Sequence, residues 1–174
     1  MTLWAVILIL FGPMLIEARR AARNERRQIA SGGVEPPDDV YALMRVAYPG
    51  LFAAMAAEQA LRGAPSAPWI AAGLCLFVAA KAVKWWAIVT LGRFWTFRVI
   101  VVPGAALVRG GPYRFLRHPN YVGVVGELLG AACFTGAAVS GALSVVLFGS
   151  LLKRRIAVEN RALDSAARHP PCSL

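Results

Sequence analysis

Apolar residues in this chain come in runs of helical length, separated by short polar stretches rich in glycine and proline. The first run, Thr2 to Ile16, passes without a break into a basic stretch from Glu17 to Arg27 composed of helix formers. This pattern predicts one helix that leaves an apolar phase as a basic amphipathic extension, ended by Ser31-Gly32-Gly33 and Pro36-Pro37. The run is short for a span, yet it does not read as a cleaved signal. No positive segment precedes it and no small-residue cleavage site follows.

A second run, about Tyr41 to Leu61, starts after Asp38-Asp39, residues suited to an N-cap. Arg62 to Pro68 forms a tight turn into the third run, Trp69 to Leu91, which carries Lys81 and Lys84. That run is long enough to cross roughly 30 Å of hydrocarbon. Between Gly92 and His118 the pattern changes. Val99 to Val102 is β-like, Pro103-Gly104 turns, and Ala105 to Val108 extends again, which predicts a small hairpin or extended loop at a membrane interface. A fourth helix is expected from Pro119, a residue favoured in a first turn, to about Thr135. Gly136 to Gly141 is read as a turn, and a fifth, shorter helix as Ala142 to Leu152, leaving the membrane over Lys153 to Leu163.

The expected fold is therefore all-α, a single integral membrane domain over residues 1–174 with about five transmembrane helices. Composition agrees: 58% of residues are hydrophobic and 16% charged, mean hydropathy is +0.57, and soluble domains carry about 25% charge. A net charge of +10 would suggest nucleic acid in a soluble protein. Here the basic residues cluster at the ends of apolar runs, where orientation and anionic headgroups account for them. With the N-terminus outside, the inner segments hold fifteen basic residues: Arg19, Arg20, Arg23, Arg26, Arg27, Arg93, Arg98, Arg109, Arg114, Arg117, Lys153, Arg154, Arg155, Arg161 and Arg168. The short outer loops hold Arg62 alone. The expected topology is N-out and C-in, in a bacterial-type inner membrane, with the loop between helices three and four on the cytoplasmic side. Cys75 and Cys133 fall in apolar runs and read as small packing residues; Cys172 does not fit a prenylation box. No metal spacing and no disulfide framework is evident.

The densest chemistry lies in the thirteen residues Gly111 to Gly123, which hold two arginines, a histidine and two tyrosines ahead of an apolar run whose single charge is Glu127. His118 precedes the free N–H groups of a helix start, a ready anion site. Glu127 lies about 12 Å into its helix at 1.5 Å per residue, and Lys84 and Lys81 lie about 10 and 15 Å from the inner end of theirs. The depths match, so a Glu127–Lys84 or Glu127–Lys81 pair is expected, either locking two helices or lining a substrate cavity. Tyr113 and Tyr121 face the ligand or the interface, and Trp85, Trp86 and Trp95 are expected in the aromatic belt. Gly123, Gly126 and Gly130 suggest close helix packing. Arg155 and Glu159 sit four residues apart, as do Glu58 and Arg62, which predicts simple surface pairs.

At these residues the chain resembles the isoprenylcysteine carboxyl methyltransferase family of membrane enzymes. The family's segment reads Leu-Val-x-x-Gly-Pro-Tyr-Arg, then Arg-His-Pro-x-Tyr-x-Gly, and appears here as Leu107 to Arg114 and Arg117 to Gly123. Leu91 to Trp95 and Glu159 match in order and spacing, over roughly residues 85–163. Asn160 stands where the family commonly has a second glutamate, and the aromatic-rich tail of many members is not matched. The resemblance implies S-adenosylmethionine as cofactor, surrounded by the Leu107, Val108, Gly111, Pro112 and Tyr113 backbone with Arg117, His118, Pro119, Asn120 and Tyr121. The resemblance also implies that Glu159 closes that pocket from the cytosol. It implies a lipophilic small-molecule acceptor reaching the site from the bilayer; the branch most similar is thought to methylate alkylpyrone or alkylresorcinol hydroxyls. Methyl transfer needs in-line approach and a proton acceptor. Glu127 is the candidate base or orienter, and Arg93 and Lys84 are candidates to hold an anionic acceptor. Membrane sterol reductases carry a similar His-Pro-Asn-Tyr-x-Gly segment and use NADPH, with Arg114 and Arg117 as phosphate candidates. That reading, and a non-catalytic scaffold, are the alternatives.

Overall fold

A computed structural model describes residues 1–168, with side chains to Ser165; Cys172 and its prenylation question lie outside the described residues. The described chain forms five helices: α1 (Leu3–Ala30), α2 (Tyr41–Arg62), α3 (Ala67–Leu91), α4 (Pro119–Thr135) and α5 (Ala138–Arg168). Two short 3-10 turns, Gly92–Phe94 and Gly111–Arg114, lie in the α3–α4 connection.

Local chemistry sets most of the boundaries. The Thr2 hydroxyl accepts from the Ala5 N–H at 3.4 Å and caps α1, which continues unbroken through the basic extension. At α2 the cap position is Val40, and the Asp39 carboxylate accepts from the Tyr41 N–H at 3.1 Å. Pro119 opens α4, and Gly136, at a left-handed φ of 71°, closes it.

One element differs from the sequence expectation. α5 starts at Ala138, so Ser140 and Gly141 lie inside a helix where a turn was expected. Glu58 of α2 explains the difference. Its carboxylate accepts from the Val139 N–H at 3.2 Å, the Ser140 N–H at 2.8 Å and the Ser140 hydroxyl at 2.6 Å. A carboxylate from another helix thus satisfies the orphan donors of the first turn. Its pairing with Arg62 at 3.4 Å is secondary. Of the two forms expected between Val99 and Val108 the extended loop is found, and no hairpin joins Val99–Val102 to Ala105–Val108. Val101 pairs instead with Val34 of the α1–α2 connector, with N–H to O distances of 2.9 and 3.0 Å, and the segment is an extended loop.

α3 and α4 pack most closely. A Cβ on Gly123 would lie 2.7 Å from the Lys84 Cβ, one on Gly126 2.8 Å from the Ala80 Cβ, and one on Gly130 2.6 Å from the Phe77 N. Small residues let the two backbones approach, the device of helix pairs in lipid. The main core gathers Leu10, Phe52, Met55, Phe77, Leu128, Phe134 and Phe148 from all five helices. Large apolar side chains stay exposed on every helix, among them Trp4, Val46, Val78, Val122 and Val146. Cys75 is exposed on α3 and Cys133 is half-buried, so Cys75 is not the packing residue expected. Among the described residues one stretch, Ala67–Phe94, is long and apolar enough to cross a membrane by length and composition, and only 28% of its apolar window is buried. An apolar helix at the centre of a soluble core would be mostly buried.

Candidate active site

The residues of the thirteen-residue segment are arranged as a polar collar around the start of α4. The turn Gly111–Arg114 is pressed onto the end of α3. Gly111 adopts φ +54°, and a Cβ there would run into the Thr90 hydroxyl and come within 3.2 Å of the Trp86 indole nitrogen. Only glycine fits both constraints. Pro112 is buried, and Tyr113 is half-buried. Burial first, and the Glu159 charge second, push the Tyr113 phenol well above its ordinary range.

His118 is the residue that precedes α4, and its ring stacks on Tyr121 at 5.4 Å and 24°. The Tyr121 hydroxyl donates to Glu159 Oε2 at 2.7 Å, and His118 Nδ1 lies 3.9 Å from the same oxygen. His118 Nε2 is buried with no hydrogen-bond partner among the described residues, and so is Asn160 Oδ1, on the residue that follows Glu159 in α5. Asn120 accepts from the Trp95 indole at 3.3 Å. Trp95 is therefore a core residue, 3% exposed, and not part of an aromatic belt. Arg155 does not pair with Glu159. It is 5% exposed, bonded to Asp39, to the Phe97 carbonyl at 2.6 Å and to the Tyr121 hydroxyl at 3.4 Å.

Deeper in the bundle a second polar group joins four helices. Glu17 of α1 accepts from Lys81 Nζ at 2.8 Å and Lys84 Nζ at 2.7 Å. Glu127 of α4 lies 3.1 Å from Lys81 and 3.4 Å from Lys84, and the Tyr48 hydroxyl of α2 donates to it. Both expected lysine partners of Glu127 are thus present, together with a second carboxylate. The formal charge of the cluster is zero. Glu127 Oε1 accepts no hydrogen bond among the described residues.

His118, Tyr121 and Glu159 therefore meet in the collar, with Tyr113 near enough to feel the Glu159 charge and Asn120 held by Trp95; Lys84 and Glu127 meet in the cluster. Leu107 and Arg117 are exposed, and Val108 is half-buried. Arg93 joins neither group. It is exposed, its guanidinium lies over its own neighbour Phe94 at 4.9 Å, and its carbonyl accepts from Gln28. Glu17, Tyr48, Asp39 and Asn24 were not anticipated in these roles. For α1 a signal existed: Glu17, Ala21, Asn24 and Gln28 recur at helical spacing as one buried, largely polar stripe. Cavities of about 390 and 460 Å³ lie elsewhere, the first lined by Trp69 and Leu129, the second by Val34 and Arg161. Neither is lined by His118, Tyr121 or Glu159.

The chain is thus a helical bundle with apolar outer faces and, at the start of α4, a rim of stacked histidine and tyrosine over a carboxylate. Residues 72–165, more than half of the chain, match the family model of the isoprenylcysteine carboxyl methyltransferase (ICMT) family, and the chain belongs to that family. Membership implies a methyltransferase. The chain is 30% identical over 161 residues to the uncharacterized protein YpbQ of Bacillus subtilis (strain 168), covering 92% of this chain and 96% of that protein. It is 24% identical over 143 residues to an uncharacterized protein of Haemophilus influenzae (strain ATCC 51907 / DSM 11121 / KW20 / Rd), covering 82% and 83%. No solved structure matches it.

Proposed function

We propose that this protein is an S-adenosylmethionine-dependent methyltransferase acting on a hydroxyl or carboxylate of a lipophilic acceptor at the cytoplasmic face of the inner membrane. In this reading the five helices span N-out and C-in, and the collar faces the cytoplasm. The observation that carries it is the buried, unpartnered His118 Nε2, on a ring whose other nitrogen lies 3.9 Å from the Glu159 carboxylate. A buried polar group without a partner calls for an explanation, and a ligand held beside Glu159 supplies one for His118. A ring nitrogen able to donate and a carboxylate together suit a ligand with carboxylate and ammonium ends, so the two groups fit S-adenosylmethionine.

When bound, S-adenosylmethionine supplies a methyl group on a positively charged sulfur. Glu159 gives the collar a negative charge for such a cation, and Tyr121 holds it. Because Arg155 can only donate, its contact with the Tyr121 oxygen leaves the Tyr121 proton directed at Glu159. The Leu107 to Tyr113 backbone, with Arg117, Pro119 and Asn120, forms the rest of the wall. Glu127 orients the acceptor hydroxyl or takes its proton through the oxygen that accepts no hydrogen bond, and Lys84 at 3.4 Å holds that carboxylate in place. Glu17 neutralises the second lysine charge, so the cluster offers no excess positive charge and favours a neutral hydroxyl over an anionic head. Arg93, exposed at the end of α3, is the candidate contact for an anionic acceptor.

The test is radiolabelled methyl transfer onto lipophilic phenols, pyrones, fatty acids and prenylated thiols. It is paired with thermal melting in detergent with S-adenosylhomocysteine or NADPH. A ligand at 100 times its Kd adds about 2.7 kcal/mol. Stabilisation by NADPH and not by S-adenosylhomocysteine would replace this reading with a reductase.

A further inference from the structure

α1 is one helix from Leu3 to Ala30, and its second half has two unlike faces. The inner face grips the bundle. Glu17 binds Lys81 and Lys84, Asn24 donates to the Gly92 and Trp95 carbonyls at 2.9 and 2.8 Å, and Gln28 donates to Arg93 O at 3.1 Å. Both acidic residues of this half are engaged by the bundle, since Glu25 accepts from the Phe97 and Arg98 N–H groups at 3.2 and 3.4 Å. The outer face carries Arg19, Arg23, Arg26 and Arg27. All four are exposed, and none has a hydrogen bond or ion pair from its side chain among the described residues. Guanidiniums three and four residues apart stand only about 5–6 Å from one another at Cβ, and like charges at that spacing destabilise a helix. The face is continuous with Leu15 and Ile16, which are 63% and 58% exposed.

We infer that Arg19, Arg23, Arg26 and Arg27 form a docking surface for the headgroups of anionic phospholipids. Phosphate diesters match the planar fork of arginine and relieve the repulsion between neighbouring guanidiniums. The exposed aliphatic residues one turn earlier place the site at the boundary between headgroups and acyl chains, which favours lipid over a soluble polyanion. The surface needs neither methyl donor nor acceptor, so it stands or falls apart from the methyltransferase reading; it rests only on α1 entering the bilayer. Headgroups seated there brace the helix whose other face holds the Gly92–Trp95 turn, and Trp95 in turn holds Asn120 at the collar.

The experiment exchanges full-length protein into equimolar phosphatidylglycerol and phosphatidylcholine and counts retained lipids by native mass spectrometry. Thermal melting is followed in bilayer discs with and without phosphatidylglycerol. Wild type should retain phosphatidylglycerol over phosphatidylcholine by about tenfold or more, at roughly 1 kcal/mol for each basic residue near an anionic surface. It should also melt higher in the anionic discs. R19Q/R23Q/R26Q/R27Q should lose both effects while melting normally in phosphatidylcholine, and R23Q/R26Q should fall between. K153Q/R154Q, which removes two exposed charges from α5, should keep the preference. The inference fails if the quadruple variant keeps the preference, or if K153Q/R154Q loses it equally. It also fails if wild type shows none, or if an oligonucleotide or acidic peptide displaces the lipid.

Discussion

Replacing Glu127 by glutamine separates two roles that its position allows. The substitution leaves Glu17 facing Lys81 and Lys84, so a cluster of formal charge zero becomes +1 in a place where Glu127 and Lys84 are 0% and 3% exposed. Hydrogen bonds between membrane helices average only about 0.6 kcal/mol. An uncompensated charge is different: it costs about 2.5–3.5 kcal/mol at a helix centre in lipid, and breaking a buried pair costs about 3–5 kcal/mol. Glu127→Gln should therefore destabilise by about 3 kcal/mol, on the order of a hundredfold in the folding equilibrium. Adding Lys81→Gln returns the formal charge to zero and leaves Glu17 bound to Lys84 at 2.7 Å. The double variant should recover most of the lost stability, a coupling measurable as a double-mutant cycle by denaturant unfolding in detergent. Turnover supplies the second readout. If Glu127 serves the acceptor hydroxyl, the stable double variant remains slow at unchanged donor affinity. A loss under 1 kcal/mol in the single variant refutes the charge argument. Full turnover in the double variant refutes the catalytic one.

Three other substitutions probe the packing and the collar. Gly130→Ala places a methyl 2.6 Å from the Phe77 backbone nitrogen and should lower stability by about 1–3 kcal/mol, whereas Gly149→Ala, with nothing within 4 Å, should be neutral or mildly stabilising in the same melt. Tyr121→Phe removes the donor that holds Glu159; a hydrogen bond to a charged group is worth about 1.5–3 kcal/mol, so S-adenosylhomocysteine should bind at least about tenfold more weakly by calorimetry. The Tyr113 phenol has a folded-state pKa raised above its ordinary 10.0 by burial and by Glu159. Its contribution to stability is therefore complete below pH 10 and is lost as pH rises from there toward the folded value. Unfolding followed from pH 8 to about 12 should show an alkaline loss that Tyr113→Phe reduces.

The helices were legible wherever punctuation is local. Pro119 and Gly136 mark the ends of α4, and Gly92 stops α3, because each acts through its own backbone. The start of α5 was hidden because its cap, Glu58, belongs to a different helix and lies 82 positions from Ser140. The same distance problem hid the partners of Arg155. An arginine four residues before a glutamate reads as a helix pair, but Asp39, 116 positions away, takes it in the fold. Matching depths did bring Glu127 together with Lys81 and Lys84, since depth along a helix is a local count. Depth could not reveal Glu17, whose apolar run gave no hint of which neighbour α1 faces. Trp95 departs from the sequence expectation for a related reason. Tryptophan near an interface is usually a belt residue, and only the approach of α1 and Asn120 buries this one.

These hidden partners share a location. Glu17, Asn24, Asp39 and Tyr48 all precede residue 72, where the family match begins. Without them, Lys81 and Lys84 would face Glu127 alone and carry an excess positive charge. Arg155 would lose its carboxylate, and the Gly92 and Trp95 carbonyls would lose the Asn24 amide. An unpaired buried charge or carbonyl is costly in lipid, where no water substitutes. The portion that bears the family motif therefore depends on α1 and α2 for its electroneutrality. The collar geometry is a property of the whole bundle: Asp39 and Phe97 fix Arg155, Arg155 fixes the Tyr121 hydroxyl, and that hydroxyl fixes Glu159.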